Sequence, residues 1–236
     1  MPSSPSRAAA VTAALLLTAT GLPAQAVSLD EGTYRIQIDG IEAGMETFSI
    51  RQNGSGADMV VIARGRVVLD TGTGSQEVQV SIQLAGSALR PAAYDIDERG
   101  SQSRRVNARI TGSRASARIT SPEGEILREY LIAEGAVLVA EGMAHQYYFL
   151  ARHAGGKAAS VPLVLPGSSR QVSATVAIAE TGSVSVAGAR LDATHYVVES
   201  AGGPTAHVWA DGQGRVLKVE VPSRNYLAIR TAVPAA

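Results

Sequence analysis

The stretch "VVLDTGTGSQEV", residues 67–78, admits two readings that lead to different folds. In the first, Asp-Thr-Gly after three aliphatic residues presents Asp70 as a catalytic carboxylate. In the second, the stretch is strand, turn, strand. "RGRVVLD" before the triplet and "SQEVQVSI" after it both alternate apolar and polar residues, the period-2 signature of half-buried strands. "DTGTGS" between them is rich in residues that tolerate tight-turn dihedrals. A hairpin accounts for every residue of the stretch, both glycines included. The carboxylate reading accounts for Asp70, Thr71 and Gly72 alone.

A carboxylate presented in this way looks like that of an aspartic peptidase, which needs two acids sharing one proton because two like charges so close cannot both ionise. This chain carries a single Asp-Thr-Gly and would have to dimerise across Asp70. The apolar strand ending in Gly that underlies such a site has a loose counterpart in "VSVAGARLD" (184–192), over a hundred residues downstream. The residue after the triplet is normally Ala or Ser; here it is Thr73. The hairpin is the preferred reading, and a homodimeric aspartic peptidase using Asp70 stands as its alternative.

The hairpin belongs to a pattern that runs along the chain. "TYRIQIDG" sets Tyr34, Ile36 and Ile38 against Arg35, Gln37 and Asp39. "EVQVSIQL" places Val78, Val80, Ile82 and Leu84 inward. "RVLKVEVP" opposes Val216, Lys218 and Glu220 to Leu217, Val219 and Val221, and Pro222 ends the run. Turn signals such as "QNGSG", "ERGSQ", "SPEGE" and "DGQG" separate these runs. Many short alternating segments without alternating long helices predict an all-β, antiparallel architecture.

One segment departs from period 2. "EGMAHQYYFLARHAGG" (141–156) places Met143, Tyr147, Leu150 and Ala151 at helical spacing, with Arg152 and His153 in the last turn and Gly155 and Gly156 as the stop. It predicts one short helix lying against or across the sheet.

The two ends bound where the protein works. Arg7, the apolar "AAAVTAALLLTATGL" and the small-x-small "AQA" (Ala24, Gln25, Ala26) read as a secretory signal cleaved to leave Val27. The apolar run falls short of the about 20 residues that a spanning helix needs, so no transmembrane segment is expected after signal removal. The chain is therefore expected in the periplasm or secreted: residues 1–26 as signal peptide, 27–236 as one β-rich domain. No linker or charge block divides the latter, and β-sandwiches and barrels of about 210 residues are routinely one unit. Cysteine is absent, so an exported fold of this kind must rest on its core rather than on disulfides.

Charge and side-chain chemistry narrow the function classes. Arg7 is the sole basic residue of the first 26, which leaves 20 Lys and Arg against the 21 Asp and Glu that all lie beyond it, a net charge of −1. That balance exerts no general pull on nucleic acid or anionic lipid. Within "YDIDERGSQSRRVNARITGSRASARITSPEGEILREY" (94–130), Arg105, Arg109, Arg114 and Arg118 share one face of a hairpin. Asp95, Asp97 and Glu98 on one flank and Glu123, Glu125 and Glu129 on the other predict cross-strand neutralisation. No aromatics interleave these arginines, as single-strand nucleic-acid platforms require. The four histidines, His145, His153, His195 and His207, are scattered. His145 and His153 lie two turns apart on the expected helix, Asp192 precedes His195 by three, and Asp211 follows His207 by four. None of these makes a metal site without a third ligand from elsewhere. Serine-nucleophile elbows and phosphate-cradling glycine loops are missing, and no cofactor or metal is expected.

Several elements, taken in order, resemble a family of exported bacterial proteins known as domain of unknown function number 3108. They are "YRIQIDGIEAGMETFSI" near the expected mature start, "ALRPAAYDID" after a strand, "HQYYFLARHAGGKAASVPLVLPG" at the helix, and "HVWADGQGRVLKVEVP" near the end. The resemblance spans most of the expected mature chain. It implies a strongly curved antiparallel sheet, barrel or half-barrel, with the helix near one opening, similar in shape to the periplasmic lipoprotein carriers. The family has no assigned catalytic residues, and fold similarity to a carrier does not establish carriage.

The expected function is an exported non-catalytic β-protein that binds an apolar small molecule or an envelope protein. The alternatives are the Asp70 peptidase and a structural subunit of an envelope complex. Contact candidates are Tyr147 and Tyr148 on the helix, His195, and Trp209, the sole tryptophan. A ligand carrier calls for a continuous apolar cavity, a structural subunit for a filled core.

Overall fold

The computed structural model describes residues 26–235 except 71, 73, 101, 102 and 156. The expected signal peptide (residues 1–25 of it) therefore lies outside the described residues, as do Thr71, Thr73 and Gly156. In chain order the first strands are β1 (Val27–Ile38), β2 (Ile41–Asn53), β3 (Val60–Asp70), β4 (Ser75–Ala85), β5 (Arg90–Arg99), β6 (Arg104–Thr111), β7 (Arg114–Ser121) and β8 (Gly124–Leu131). A short β9 (Val137–Leu138) and helix α1 (Tyr147–Ala154) follow. Then come β10 (Ala159–Leu165), β11 (Arg170–Val186), β12 (Ala189–Ser200), β13 (Ala206–Ala210), β14 (Val216–Val221) and β15 (Tyr226–Arg230).

All fifteen strands form one sheet, in the order β8 to β1 and then β15 down to β9. Two meanders are zipped together where the first strand pairs with the last, in the register Tyr34↔Arg230 to Ile38↔Tyr226. Each β1 to β8 connection is a hairpin. In the first, Asp39 and Gly40 both take positive φ (54° and 75°) between the partners Ile38 and Ile41, the backbone of a two-residue turn that matches strand twist. The "DTGTGS" hairpin is present, closed by Asp70 opposite Ser75.

Chain connectivity makes curvature obligatory. The two sheet edges, β8 and β9, are consecutive in sequence. Laid flat, fifteen strands would hold them about 65 Å apart, whereas Leu131 and Val137 are six residues apart and reach no more than about 20 Å. The sheet curls until β9, paired in parallel with β10, comes up against β5. Side chains join the seam: Arg104 Nη1 donates to Gly167 O at 2.9 Å, and Gln171 Oε1 accepts from Ala133 N–H at 2.8 Å. The expected curved, all-β sheet with one short helix is what forms, and it is barrel-like.

The interior is filled by the chain's own segment. After β9, a 3-10 turn (Ala144–Gln146) leads into α1, which ends at Gly155 in the left-handed region, its N–H bonded to Ala151 O. Met143, His145, Gln146, Tyr148, Phe149 and Leu150 are all buried. Four consecutive buried residues within α1, Tyr148 to Ala151, mean that protein surrounds the helix on several sides, so it plugs the barrel rather than lying across its outside. Packed interiors of this kind carry the main favourable term in folding.

One carboxylate holds the plug. Glu46, fully buried on β2, accepts Ala144 N–H (2.7 Å), His145 N–H (3.0 Å) and His145 Nδ1–H (2.6 Å). Phe48, two residues on, stacks on the same imidazole at 5.3 Å and on Tyr34 at 5.1 Å. Opposite, a Cβ on Gly65 of β3 would stand 2.4 Å from His145 Cε1, so glycine there is what lets the plug touch the wall. A second buried ion pair, Arg230 with Asp30, braces the β1–β15 junction. Arg230 Nε also donates to Val216 O at 2.6 Å, as does the Tyr34 hydroxyl at 2.8 Å.

One alternation expectation is corrected by a bulge. Trp209 pairs with Lys218 but Ala210 pairs with Val216, so Leu217 is skipped. Val216 consequently joins the main core with Val219, and Leu217 packs outside it in a small second core with Val184, Val186 and Ala193.

Removing one member of a buried, hydrogen-bonded charge arrangement leaves the others desolvated and unpaired, a loss of about 3–5 kcal/mol. Glu46→Gln is therefore expected to lower unfolding free energy by about that amount, read as a lower urea midpoint with the folded spectrum retained below it. A change under about 1 kcal/mol would mean the plug is held by packing alone.

Candidate functional site

Two places gather the chemistry, one inside the curved sheet and one outside. The inner one is a partly enclosed cavity of about 150 Å³ between the plug and the strands β10 to β14. Met143, Leu163, Val172, Val198, Val219 and Val221 supply much of its apolar wall. Its charged lining is Glu141, Arg170 and Arg224, all exposed. Tyr147 from α1 and Tyr226 from β15 complete it. The Tyr226 hydroxyl is buried with no hydrogen-bond partner. Burial pushes its phenol well above the usual tyrosine range and pushes Tyr147 up to about 12, Arg224 opposing and Glu141 reinforcing the Tyr147 shift. Both phenols therefore stay protonated donors at any ordinary pH.

The size of the cavity decides what fits. Sites for drug-sized ligands run to about 300–1,000 Å³, whereas an apolar void of about 150 Å³ accepts a benzene-sized guest. A long acyl chain has no room while the plug stands in place.

The outer place is a row across three strands. His195 on β12 pairs with Trp209 on β13, which pairs with Lys218 on β14. The His195 ring stacks on the indole with centroids 4.3 Å apart and planes 5° apart, and Lys218 Nζ stands 4.2 Å from the indole centroid. Lys218 also pairs with Glu220 at 2.8 Å. His195 Nε2 and His207 Nδ1 are hydrogen-bonded at 3.0 Å. The other His195 nitrogen, Nδ1, is buried and lies 3.7 Å from Glu180 Oε1, beyond hydrogen-bond reach. Burial lowers the His195 pKa from the ordinary value of 6.5, and His207 lowers it further.

Of the residues singled out from sequence, His195 and Trp209 meet in this row. Tyr147 lines the cavity. Tyr148 is buried, and its hydroxyl accepts from Arg152 Nη1 at 3.1 Å. Asp70 is exposed at the end of β3, where Oδ1 accepts the Gly72 N–H at 2.9 Å, the Asx geometry of a turn. The hairpin arginines are neutralised as the cross-strand pattern foretold: Arg105 by Asp97 (2.8 Å), Arg109 by Asp95 (3.8 Å), Arg114 by Glu129 (3.0 Å) and Arg118 by Glu125 (3.5 Å). His145 is buried on Glu46 while His153 is exposed, so the two do not converge. Among the described residues no three metal-ligating side chains come together.

Sequence reasoning passed over Glu46, Arg170, Arg224 and Tyr226. Glu46 had a signal: in "GMETFSI" it shares the period-2 face of Phe48 and Ile50, an acid on an apolar face. The two cavity arginines had none, because their meeting depends on the curl of the sheet.

No family model matches the chain, and no curated protein matches it. Among solved structures it is similar to a β-barrel-like protein of domain of unknown function DUF1849 from Brucella abortus. The identity is 11%, the TM-score 0.55, and the match covers 88% of this chain and 97% of that one. At such identity the likeness shows the fold alone, a β-barrel-like domain. Among the described residues no helix is long and apolar enough to cross a membrane.

A histidine whose folded pKa is depressed binds fewer protons folded than unfolded, so its stability contribution is complete above the unfolded pKa and lost as pH falls through the folded one. The midpoint temperature is expected to fall as pH drops below about 6.5, and His195→Gln is expected to flatten that limb. An unchanged acid limb in the variant would place the pH sensitivity elsewhere.

Proposed function

We propose that this chain is an exported, non-catalytic β-barrel-like protein of the domain-of-unknown-function 3108 type that binds a small apolar ligand beside Tyr147, in the periplasm or outside the cell. The observation that carries the ligand reading is the cavity: apolar on most sides, bounded by two tyrosines, and left open where the plug has filled the rest of the interior. Natural cores leave few voids larger than a water molecule, because unfilled space forfeits dispersion contacts. A site of about 150 Å³ kept open between the plug and the wall is thus a feature to explain, and a compact guest explains it.

The ordered motifs from "YRIQIDGIEAGMETFSI" to "HVWADGQGRVLKVEVP" support the family reading. Export draws on the positive, apolar and small-x-small sequence of the first 26 residues. Strand pairing begins at Val27, where cleavage after Ala26 would leave the new amino terminus. The filled core favours the second reading, a structural subunit of an envelope complex; ligand binding separates the two.

Purified mature protein titrated with toluene or hexanol is expected to gain midpoint temperature, a ligand at ten times its dissociation constant adding about 1.4 kcal/mol. Val172→Phe, which fills the cavity from a half-buried lining position, is expected to abolish the gain, and palmitate to produce none. If none of the small compounds stabilises the protein, the ligand reading fails and the structural-subunit reading takes its place. Expressed with its leader in a Gram-negative host, the exported protein is expected to start at Val27 on amino-terminal sequencing. Retention of residues 1–26 in the cytoplasm would overturn the export reading.

A further inference from the structure

Resting on the cavity as an apolar binding site, we infer that its ligand carries an oxyanion head, a carboxylate or phosphate monoester on a short hydrocarbon, received by Arg170 and Arg224.

Two features of the cavity wall support one another. First, the charged lining is two arginines against one glutamate, Glu141, a net positive site. Neither Arg170 nor Arg224 forms an ion pair among the described residues, whereas ten other arginines there each hold a carboxylate. Both guanidinium groups are free to receive an oxyanion from outside. Arginine suits the task, since its planar fork matches carboxylate and phosphate geometry. Second, the apolar wall and the volume of about 150 Å³ admit a tail on the scale of benzene. Both arginines are exposed, so the head sits at the water-facing rim with the tail inward, and the charge is never fully desolvated, which avoids the main cost of burying an ion.

The test is calorimetric titration of the mature protein at low ionic strength with four compounds sharing one tail: hexanoate, hexyl phosphate, hexanol and hexylamine. At least one acid is expected to bind about tenfold or more tighter than hexanol, the equivalent of one charge-assisted hydrogen bond, and hexylamine weakest. The arm that binds tighter, hexanoate or hexyl phosphate, identifies the head. Arg170→Gln and Arg224→Gln are each expected to lower acid affinity by more than hexanol affinity and so to erase most of the preference for acid over alcohol. Equal affinity for hexanol and both acids overturns the oxyanion head while leaving the apolar site intact. Absence of binding by all four compounds overturns both readings together.

Discussion

The buried carboxylate of Glu46 is the contact on which the arrangement of this molecule turns. It receives two backbone N–H groups and an imidazole N–H from the segment that fills the barrel. A charged acceptor with three donors is satisfied in a place where an unpaired one would be prohibitive. The same contact orders everything around it: it sets the entry of the plug, seats His145 on Phe48 and against Gly65, and aims α1 toward β11 and β13. The cavity is the space that this placement leaves.

Curvature comes from a different constraint. Fifteen strands in a two-way meander put the sheet edges at residues adjacent in sequence, and a chain of fixed reach pulls them together. Twist alone would curl such a sheet, but the β8-to-β9 connection dictates how far. The seam that results is joined by side chains such as Arg104 rather than by a backbone ladder, which explains a barrel-like form without full closure. The β1–β15 junction is braced instead by the buried Asp30–Arg230 pair, where burial pushes the Asp30 carboxyl up and the guanidinium draws it back.

The two chemical neighbourhoods differ in what surrounds them. In the outer row the indole of Trp209 is flanked by an imidazole from one neighbouring strand and an ammonium from the other, and it rests on the small core around Leu217. Its partners are already present within the chain. At the cavity two guanidinium groups, Arg170 and Arg224, hold no carboxylate among the described residues. That contrast is why the inner place, rather than the stacked row, carries the functional reading.

The amino-acid pattern by itself determined the strands, the hairpins and the surface charge pairing. Each depends on residues close in sequence or on neighbouring strands: Asp70 and Ser75 close a tight turn, and Arg105 meets Asp97 because β5 and β6 are joined by a short loop. Period 2 settles such relations, and it predicted the hairpin whose strands end at Asp70 and Ser75. The tertiary structure decided the rest. Glu46 and His145 are 99 residues apart, Asp30 and Arg230 are 200 apart, and the cavity draws its wall from the plug and six strands at once. Those meetings are set by how far a long sheet must bend to bring its edges together, and no local spacing encodes that distance. A single skipped residue, Leu217, was enough to reverse a face, because the bulge that absorbs it answers to the curvature of the whole sheet.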